Sequence, residues 1–256
     1  MTLDSVRVIL VRPTHPGNIG AAARAMANMG LEDLYLVEPR TFPSPEALAR
    51  AAGAEWLLST ARVCETLDEA VAECGLVIGS SARQRAVRWP ALEPESAMAL
   101  AYRASQKGNV ALVFGQEASG LTNEELERCQ VHVRIPVNPA FPSVNLAAAV
   151  IVLAYELKKA EAQCGGCDIT LAATDSAEAD ADSFATAENV QRFFVHLETV
   201  LREIGFLKSP SEKLLRKVKR IFSRTPLLED DINILRGVLS AVQGHKAQPR
   251  GKNQIR

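Results

Sequence analysis

The sequence predicts an α/β domain with a mostly parallel sheet and helices on both faces, followed by a small all-helical module. Over the first 160 of its 256 residues, short apolar runs rich in β-branched residues alternate with segments that repeat apolar residues at helical spacing. Strands that alternate with helices form parallel sheets covered by helices. Beyond residue 187, only the helical period remains. These patterns divide the chain into a sheet-forming part and a helical part.

The elements of the first part follow in order along the chain. We expect strands at residues 6–11, 34–37, 76–78, 110–114 and 131–135, where the apolar runs are short and bounded by polar or turn residues. We expect helices at residues 19–29 and 144–157, where apolar residues recur every three or four positions. A capping box, Thr122-Asn-Glu-Glu, predicts a further helix start.

The charge distribution separates four segments. The net charge of -1 argues against a strongly basic nucleic-acid binder, but this total combines segments of very different net charge. The α/β domain, residues 1–159, holds 15 Lys and Arg against 17 Asp and Glu. Residues 160–187 carry six acidic and no basic residues, which is typical of a flexible linker. The helical module at 188–243 and the tail at 244–256, which we expect to be disordered, together carry 14 basic and 7 acidic residues.

The second helix of the module has a basic face. Its basic residues include Lys213, Arg216, Lys217 and Arg220, which lie away from the apolar stripe of the same helix. Such a face is either an ordinary solvated surface or a contact for an anionic partner such as nucleic acid. The sequence alone leaves both interpretations open.

Compartment and metal content follow from what the chain lacks. No apolar run reaches the roughly 18 residues of a membrane span, and five cysteines are few for this length, so we expect a cytoplasmic protein with reduced thiols. The pair Cys164 and Cys167 has no further ligands at zinc-site spacing nearby, so we expect no metal site.

The first segment with chemical potential is His15-Pro-Gly-Asn-Ile-Gly-Ala-Ala-Ala-Arg24, which follows a strand and opens a helix. Glycines at a helix start favour anion binding, which suggests a phosphate cradle. However, the segment lacks both G-x-G-x-x-G and the Lys of a P-loop, so a dinucleotide-dependent oxidoreductase is disfavoured. Arg24 projects away from the apolar face, towards a ligand or a neighbouring chain, whereas a purely structural interpretation makes Asn18 a helix cap and Arg24 a surface charge.

Two further segments follow buried strands. In Val113-Phe-Gly-Gln-Glu-Ala-Ser-Gly-Leu121, Gly115 would let a ligand approach the backbone, and Glu117 stands at the carboxyl end of the strand, where open α/β sheets place ligands. The structural alternative is an ordinary strand–turn–helix connection. In Ile135-Pro-Val-Asn-Pro-Ala-Phe-Pro-Ser-Val-Asn-Leu146, three prolines fix the loop and Ser143 is a candidate cap for the next helix. A purely structural loop gives no reason for Asn145.

Taken in order, these segments resemble the signature motifs of the SPOUT superfamily of knotted RNA methyltransferases, in its ribose 2'-O-methylating SpoU/TrmH branch. The matching patterns are Asn18-x-Gly20-x-x-x-Arg24, Phe114-Gly115-x-Glu117-x-x-Gly120-Leu121 and Ile135-Pro-x(6)-Ser143-x-Asn145-Leu146. The segment Gly79-Ser-Ser-Ala-Arg-Gln-Arg85 is similar to the first cofactor loop of the family. The linker and helical module, with Asn233-Ile-Leu-Arg-Gly237, are most similar to the bacterial enzymes that methylate cytidine or uridine at position 32 of the tRNA anticodon loop.

The resemblance implies a carboxyl-terminal trefoil knot in the α/β domain, a homodimer with shared active sites, and S-adenosylmethionine as methyl donor. By motif position, the implied cofactor contacts are Ser80, Ser81, Ala82, Gly115, Ile135, Pro142, Ser143, Val144 and Leu146. The implied catalytic residues are Arg24, Asn18, Ser143, Asn145 and Glu117, and the implied tRNA contacts are Arg24 with Lys213, Arg216, Lys217 and Arg220. Methylation of a ribosomal RNA, or an inactive RNA-binding protein of the same fold, are the alternatives.

The chain departs from the family pattern at two places. Gln116 stands where this branch commonly has Arg. Where the most similar enzymes commonly carry an acidic residue, an aromatic residue and two small residues, this chain has Ala140-Phe141-Pro142-Ser143. Both departures lie beside motif positions that are themselves intact. They bear on cofactor affinity and on which base is accepted.

Overall fold

The computed structural model describes residues 3–81, 91–164, 184–208, 212–222 and 227–246. The chain divides into two compact units, Met1–Ala177 and Glu178–Arg256. The first contains the sheet, and the named elements of the second, among its described residues, are helices. Some parts that the sequence singled out lie outside the described residues: residues 82–85 of the segment similar to the first cofactor loop, residues 165–183 of the predicted linker, and residues 247–256 of the predicted tail.

The first unit is built on a parallel sheet that contains all strands of its described part. The strands are β1 (Val6–Val11), β2 (Asp33–Val37), β3 (Arg62–Cys64), β4 (Cys74–Ser80), β5 (Ala91–Leu92), β6 (Asn109–Phe114) and β7 (Val131–Val133). Their order across the sheet is β3-β2-β1-β6-β4-β7-β5. Each of the pairings between neighbours is parallel. The predicted fold class is confirmed, and β6, β4 and β7 lie side by side.

Central strand β1 shows why the sheet needs cover on both faces. Every residue of Val6–Val11 is buried, including Arg7. The Arg7 guanidinium donates to Asp33 at 3.0 Å and to the carbonyl of Ala70 at 2.6 Å, and its Cζ lies 3.9 Å from the ring centroid of Tyr35. A buried charge is tolerated only with such partners. Because side chains alternate between the faces of a strand, complete burial means that both faces of the sheet are covered.

The helices of the first unit are α1 (Pro16–Met29), α2 (Pro45–Ala51), α3 (Glu55–Thr60), α4 (Leu67–Val71), α5 (Pro94–Ser105), α6 (Asn123–Leu126) and α7 (Leu146–Cys164). Helix α1 begins three residues before its predicted start, with His15 as N-cap and Pro16 in the first turn, so Asn18 is not the cap. The capping box of Thr122 and Glu125 at α6 is confirmed. Helix α7 packs against α1 and α5.

The glycines of the first motif serve helix packing. A Cβ added at Gly20 would lie 2.0 Å from the carbonyl oxygen of Ala47, and one at Gly17 would lie 2.8 Å from Glu46 Oε1. Contacts this short are impossible against the backbone, so Gly20 is what allows α1 and α2 to cross closely. The glycine pattern that suggested a phosphate cradle therefore has a packing explanation at Gly20, which faces α2 of the same chain.

The second unit consists, within its described residues, of α8 (Ala187–Glu203), α9 (Glu212–Phe222) and α10 (Glu229–Lys246). Its core joins Phe193 and Leu197 of α8 to Ile232 and Leu239 of α10. Phe222 of α9 meets Phe193 edge to face, with ring centroids 5.2 Å apart. The helical character predicted for this part of the chain is confirmed in its described residues.

Two helices run past the predicted segment boundaries. Helix α7 continues to Cys164, inside the segment predicted as a linker from residue 160, and Glu161 there pairs with Lys158 at 2.7 Å. The next residues are Gly165 and Gly166, the first breakers after the apolar pattern. Helix α10 continues to Lys246, so residues 244–246 are helical where a disordered tail was expected. No helix in the described ranges is both long and apolar enough to cross a membrane.

Candidate active site

A cavity of about 530 Å³ opens where the adjacent strands β6, β4 and β7 end. Its walls come from the segment after β4, the loop after β6, the proline-rich loop after β7, and the first turns of α7. Parallel strands bring their carboxyl ends to one edge, so three segments far apart in sequence meet here. The lining residues are Ser80, Ser81, Phe114, Gly115, Gln116, Glu117, Ala118, Ser119, Gly120, Leu121, Arg134, Ile135, Pro139, Pro142, Ser143, Val144, Leu146 and Ala149.

The residues predicted to bind the cofactor gather at this cavity. All of them that the structure describes contribute to its lining: Ser80, Ser81, Gly115, Ile135, Pro142, Ser143, Val144 and Leu146. Ala82 lies outside the described residues. Sequence reasoning missed Arg134 and Ala149, which also line the cavity. Arg134 directly precedes the third motif and Ala149 lies in the helix that follows it. Both could therefore have been predicted from their positions next to that motif.

Gly115 is required by the fold of its own loop. A Cβ at this position would lie 2.2 Å from Gly120 C and 2.2 Å from Leu121 N. The loop returns on itself because Gly120 N donates to Gln116 O at 2.7 Å, with Gly120 at a φ of 65°. The sequence suggested that Gly115 admits a ligand to the backbone. In the structure, the atoms that approach it closely belong to the chain itself, and the cavity wall depends on that contact.

Glu117 is held by donors from the start of α1. Its carboxylate accepts from Thr14 N at 2.9 Å, Thr14 Oγ1 at 2.8 Å, His15 N at 3.1 Å and Asn18 Nδ2 at 3.0 Å. Burial alone would raise the pKa of Glu117, but hydrogen bonds from the Asn18 side chain and the Thr14 backbone outweigh it and lower that pKa to about 2. Glu117 is therefore an ionised brace at neutral pH and carries no proton to exchange.

Asn145 caps α7. Its Oδ1 accepts from Ala147 N at 3.0 Å and from Ala148 N at 3.3 Å, which is the N-cap geometry. Ser143 was expected in that position. That prediction is wrong, because α7 begins at Leu146 and its cap is therefore Asn145. The side chain of Ser143 is exposed and lines the cavity instead.

A directed chain of hydrogen bonds joins Asn145, Asn18 and Glu117. The backbone amides at the start of α7 can only donate, so Asn145 must turn its oxygen towards them and its nitrogen towards Asn18 Oδ1, 3.0 Å away. Asn18 must then turn its own nitrogen to Glu117, which can only accept when ionised. Each partner thus fixes the orientation of the next, and the starts of α1 and α7 are tied to the loop after β6.

Arg24 lies apart from these residues. It is on the exposed side of α1, opposite the buried Ile19, Ala23 and Met26, and does not line the cavity. Within the described part of the chain it has neither an ion pair nor a hydrogen bond. The structure therefore brings together Asn18, Glu117, Ser143 and Asn145, and leaves Arg24 outside that group in a single chain.

The basic face of α9 forms as the pattern predicted. Lys213, Arg216, Lys217 and Arg220 recur at spacings of three and four residues, which places them within an arc of about 100° on the helix. Three of the four are exposed and Arg220 is half-buried. Val218 and Phe222, on the other side, pack against the core of the second unit. The four cations thus occupy one face of a helix whose opposite face is anchored.

The pH dependence of protein stability below neutral pH tests whether ionised Glu117 stabilises the fold. We expect Glu117→Gln to destabilise the protein by about 1–2 kcal/mol above pH 5, because an amide cannot accept from all of these donors. The folded-state pKa of Glu117 lies below the unfolded value, so the contribution is complete above about pH 4.5 and is lost as the pH falls towards 2. The gap between wild type and variant in urea midpoints should narrow over that window. Glu32→Gln, at an exposed glutamate, is the control; a gap independent of pH would contradict the assignment.

Comparison with known proteins identifies the family. Residues 5–155 match the family model described as the SpoU rRNA Methylase family, and residues 188–253 match that of the tRNA methyltransferase TrmJ, C-terminal domain. The first match spans more than half of the chain, which therefore belongs to the SpoU methylase family.

Similar proteins narrow the assignment. The tRNA (cytidine/uridine/adenosine-2'-O-)-methyltransferase TrmJ of Pseudomonas aeruginosa (strain UCBPP-PA14) is 46% identical over 243 residues, covering 94% of this chain and 95% of that protein. The tRNA (cytidine/uridine-2'-O-)-methyltransferase TrmJ of Yersinia enterocolitica is 41% identical over 249 residues, covering 97% and 95%. The crystal structure of TrmJ from Z. mobilis ZM4 superposes with a TM-score of 0.77 at 35% identity, covering 93% of this chain and 98% of that one. Within its family, this chain groups with the TrmJ methyltransferases.

Proposed function

We propose that the protein transfers a methyl group from S-adenosylmethionine to a tRNA ribose 2'-hydroxyl, at a cytidine or uridine in position 32 of the anticodon loop. The observation that carries the proposal is a convergence at the ends of β6, β4 and β7, where the second and third motifs and the segment after β4 line one cavity. Asn18 of the first motif joins them through hydrogen bonds with Glu117 and Asn145. Similarity to TrmJ proteins over nearly the whole chain supports tRNA as the substrate, and we expect a cytoplasmic enzyme.

The cavity fits the cofactor in size and chemistry. Its volume of about 530 Å³ lies within the usual range for small-molecule sites, about 300–1,000 Å³. Ile135, Leu146 and Ala149 offer an apolar wall for an adenine ring, and the hydroxyls of Ser80 and Ser81 suit a ribose. When bound, S-adenosylmethionine supplies an electrophilic methyl group on a sulfonium. No group of three metal-ligating side chains occurs among the described residues.

We assign the residues of the site distinct roles. Asn145 ties the start of α7 to Asn18, and Asn18 in turn fixes Glu117. Ser143 places its hydroxyl in the cavity wall. Arg24 orients the ribose hydroxyl and clamps a neighbouring phosphate of the RNA. A guanidinium remains protonated at physiological pH and forms bidentate hydrogen bonds with phosphate, so this role suits Arg24 better than proton abstraction.

A homodimer would complete the site. Arg24 on α1 is exposed and outside the cavity, and Tyr155 on the neighbouring α7 has 56% of its surface exposed. Exposed aromatic side chains are enriched at protein interfaces. We propose that these two helices meet a second copy, which places the Arg24 of one protomer at the cavity of its partner. The trefoil knot implied by the family resemblance stays a prediction.

One experiment tests the proposed function directly. The protein is incubated with methyl-labelled S-adenosylmethionine and separate pools of tRNA and ribosomal RNA, and the labelled nucleosides are mapped. We expect label in 2'-O-methylcytidine or 2'-O-methyluridine at position 32 of tRNA. Label confined to ribosomal RNA would show that the substrate is ribosomal RNA and not tRNA. Absence of label, together with absence of cofactor binding in calorimetry, would leave an inactive RNA-binding protein.

We further propose that the basic face of α9 binds the tRNA backbone. Reversing Arg216, Lys217 and Arg220 to Glu should weaken tRNA binding and reduce the slope of log affinity against log salt by about 0.7–0.9 for each phosphate that the variant no longer neutralises. Cofactor affinity should not change. Reversing Arg50, Arg103 and Lys107 on the first unit changes the net charge equally and is the matched control. An unchanged slope in the α9 variant would show that this face is only a solvated surface.

A further inference from the structure

Phe141 is an aromatic residue whose exposure the proposed function has not explained. Its side chain is 75% exposed, the highest value among the large hydrophobic residues in the described ranges. Single exposed apolar residues are common on protein surfaces, so the significance of this one depends on where it stands.

Hydrogen bonds and prolines constrain the backbone around Phe141. Phe141 N donates to Asn138 O at 2.9 Å, and Ala140 N donates to Asn138 Oδ1 at 2.9 Å. Proline occurs directly after the ring and two residues before it, which fixes φ at both positions. Presenting the ring on such a loop lowers the entropy lost when a partner stacks against it.

The loop also places Phe141 next to the cavity. Pro139 and Pro142, on either side of Phe141, line the cavity, while Phe141 does not. Ser143, two residues further on, lines it as well. Phe141 is therefore adjacent, along the chain, to residues of the cavity in which we place the methyl donor.

We infer that Phe141 stacks on the base of the nucleotide whose ribose is methylated, which makes it a substrate-positioning residue. The inference rests on the proposed function. Single-stranded bases that have been splayed out of a loop are commonly held on aromatic side chains. Stacking tolerates different bases because every base has a π-face, which agrees with a site that accepts both cytidine and uridine. A protein partner on the same ring, including a second copy of this chain, is the alternative that the test must exclude.

The test compares Phe141→Ala and Phe141→Trp with wild type in steady-state methylation of a tRNA transcript. We expect Phe141→Ala to raise KM for tRNA by roughly 5- to 150-fold, the range measured for loss of one base–aromatic stack, with a smaller change in kcat. Phe141→Trp should restore KM, and cofactor affinity should match wild type in both variants. Trp56→Ala, at an exposed aromatic residue on α3 outside the cavity, is the control and should leave KM unchanged.

A second substrate isolates the stacking contact. With a tRNA that has an abasic ribose at position 32, wild type and Phe141→Ala should bind equally, because the partner of the ring is gone. A penalty for Phe141→Ala that persists on the abasic tRNA would overturn the inference, as would dissociation of a dimer in sedimentation. The same comparison in RNA-binding affinity remains informative if wild type methylates no RNA, so failure of the inference and failure of the proposed function are distinguishable.

Discussion

Replacing Arg24 by Ala is expected to lower the rate of methyl transfer by about 10³-fold while the fold stays intact. Losing one positioned donor to a reacting oxygen typically costs 10²–10³ in rate, and this side chain would also lose its hold on the RNA phosphate. Stability should not change, because Arg24 is exposed and has no ion pair or hydrogen bond within the described residues. The measurements are single-turnover methylation of tRNA, thermal unfolding, and calorimetry with S-adenosylmethionine.

The matched substitutions separate charge from geometry. Arg24→Lys keeps the positive charge but loses the planar fork, so we expect an intermediate rate. Arg50→Ala removes an exposed arginine from α2 and should leave the rate unchanged. Near-normal turnover by Arg24→Ala would reject the catalytic role of Arg24.

The shared site can be tested by mixing two inactive proteins. A protomer with Arg24→Ala keeps its cavity, and a protomer with a blocked cavity keeps its Arg24. If Arg24 acts at the cavity of its partner, heterodimers of the two contain one complete site and regain up to half of the activity per dimer. If the site lies within one chain, each protomer stays defective and mixing restores nothing.

Burial explains which elements could be predicted. The central strands β1, β4 and β6 are covered on both faces, so they are continuous apolar runs in the sequence. Strand β3 at the sheet edge is three residues long with Arg62 and Val63 exposed, and β5 is two residues long, so neither left a pattern to find. Helix α5 is a different case, because its proline start and helical apolar period were present in the sequence and were missed.

The candidate site could also be predicted only in part from the sequence. Motif spacing named Asn18, Glu117 and Asn145 separately, but the contact of Asn18 with Glu117 depends on parallel pairing of β1 with β6, which are far apart in the chain. The role of Asn145 could have been inferred, since Asn is a favoured N-cap and the predicted helix start at residue 144 was only one residue away. The exposure of Phe141 could not have been inferred, because the sequence of a proline-rich loop does not show whether an apolar side chain in it is buried or exposed.

Gly115→Ala is expected to weaken S-adenosylmethionine binding by about 100-fold or more and to destabilise the protein by about 1–3 kcal/mol. The added Cβ would lie 2.2 Å from two backbone atoms, Gly120 C and Leu121 N, which cannot move aside as the end of a flexible side chain could. The loop must therefore shift as a unit, and it carries both a wall of the cavity and Glu117. Calorimetry with the cofactor and denaturant unfolding measure the two effects.

Gly108→Ala is the control for this substitution, because a Cβ at Gly108 meets nothing within 4 Å and its backbone does not need a positive φ. It should leave cofactor binding unchanged, which separates the steric effect at Gly115 from the general effect of replacing a glycine. Unchanged cofactor affinity in Gly115→Ala would mean that the cavity wall does not depend on the contact between Gly115 and the Gly120–Leu121 backbone. A loss of affinity far larger than the loss of stability would instead show that this loop shapes the cofactor site more than it supports the fold.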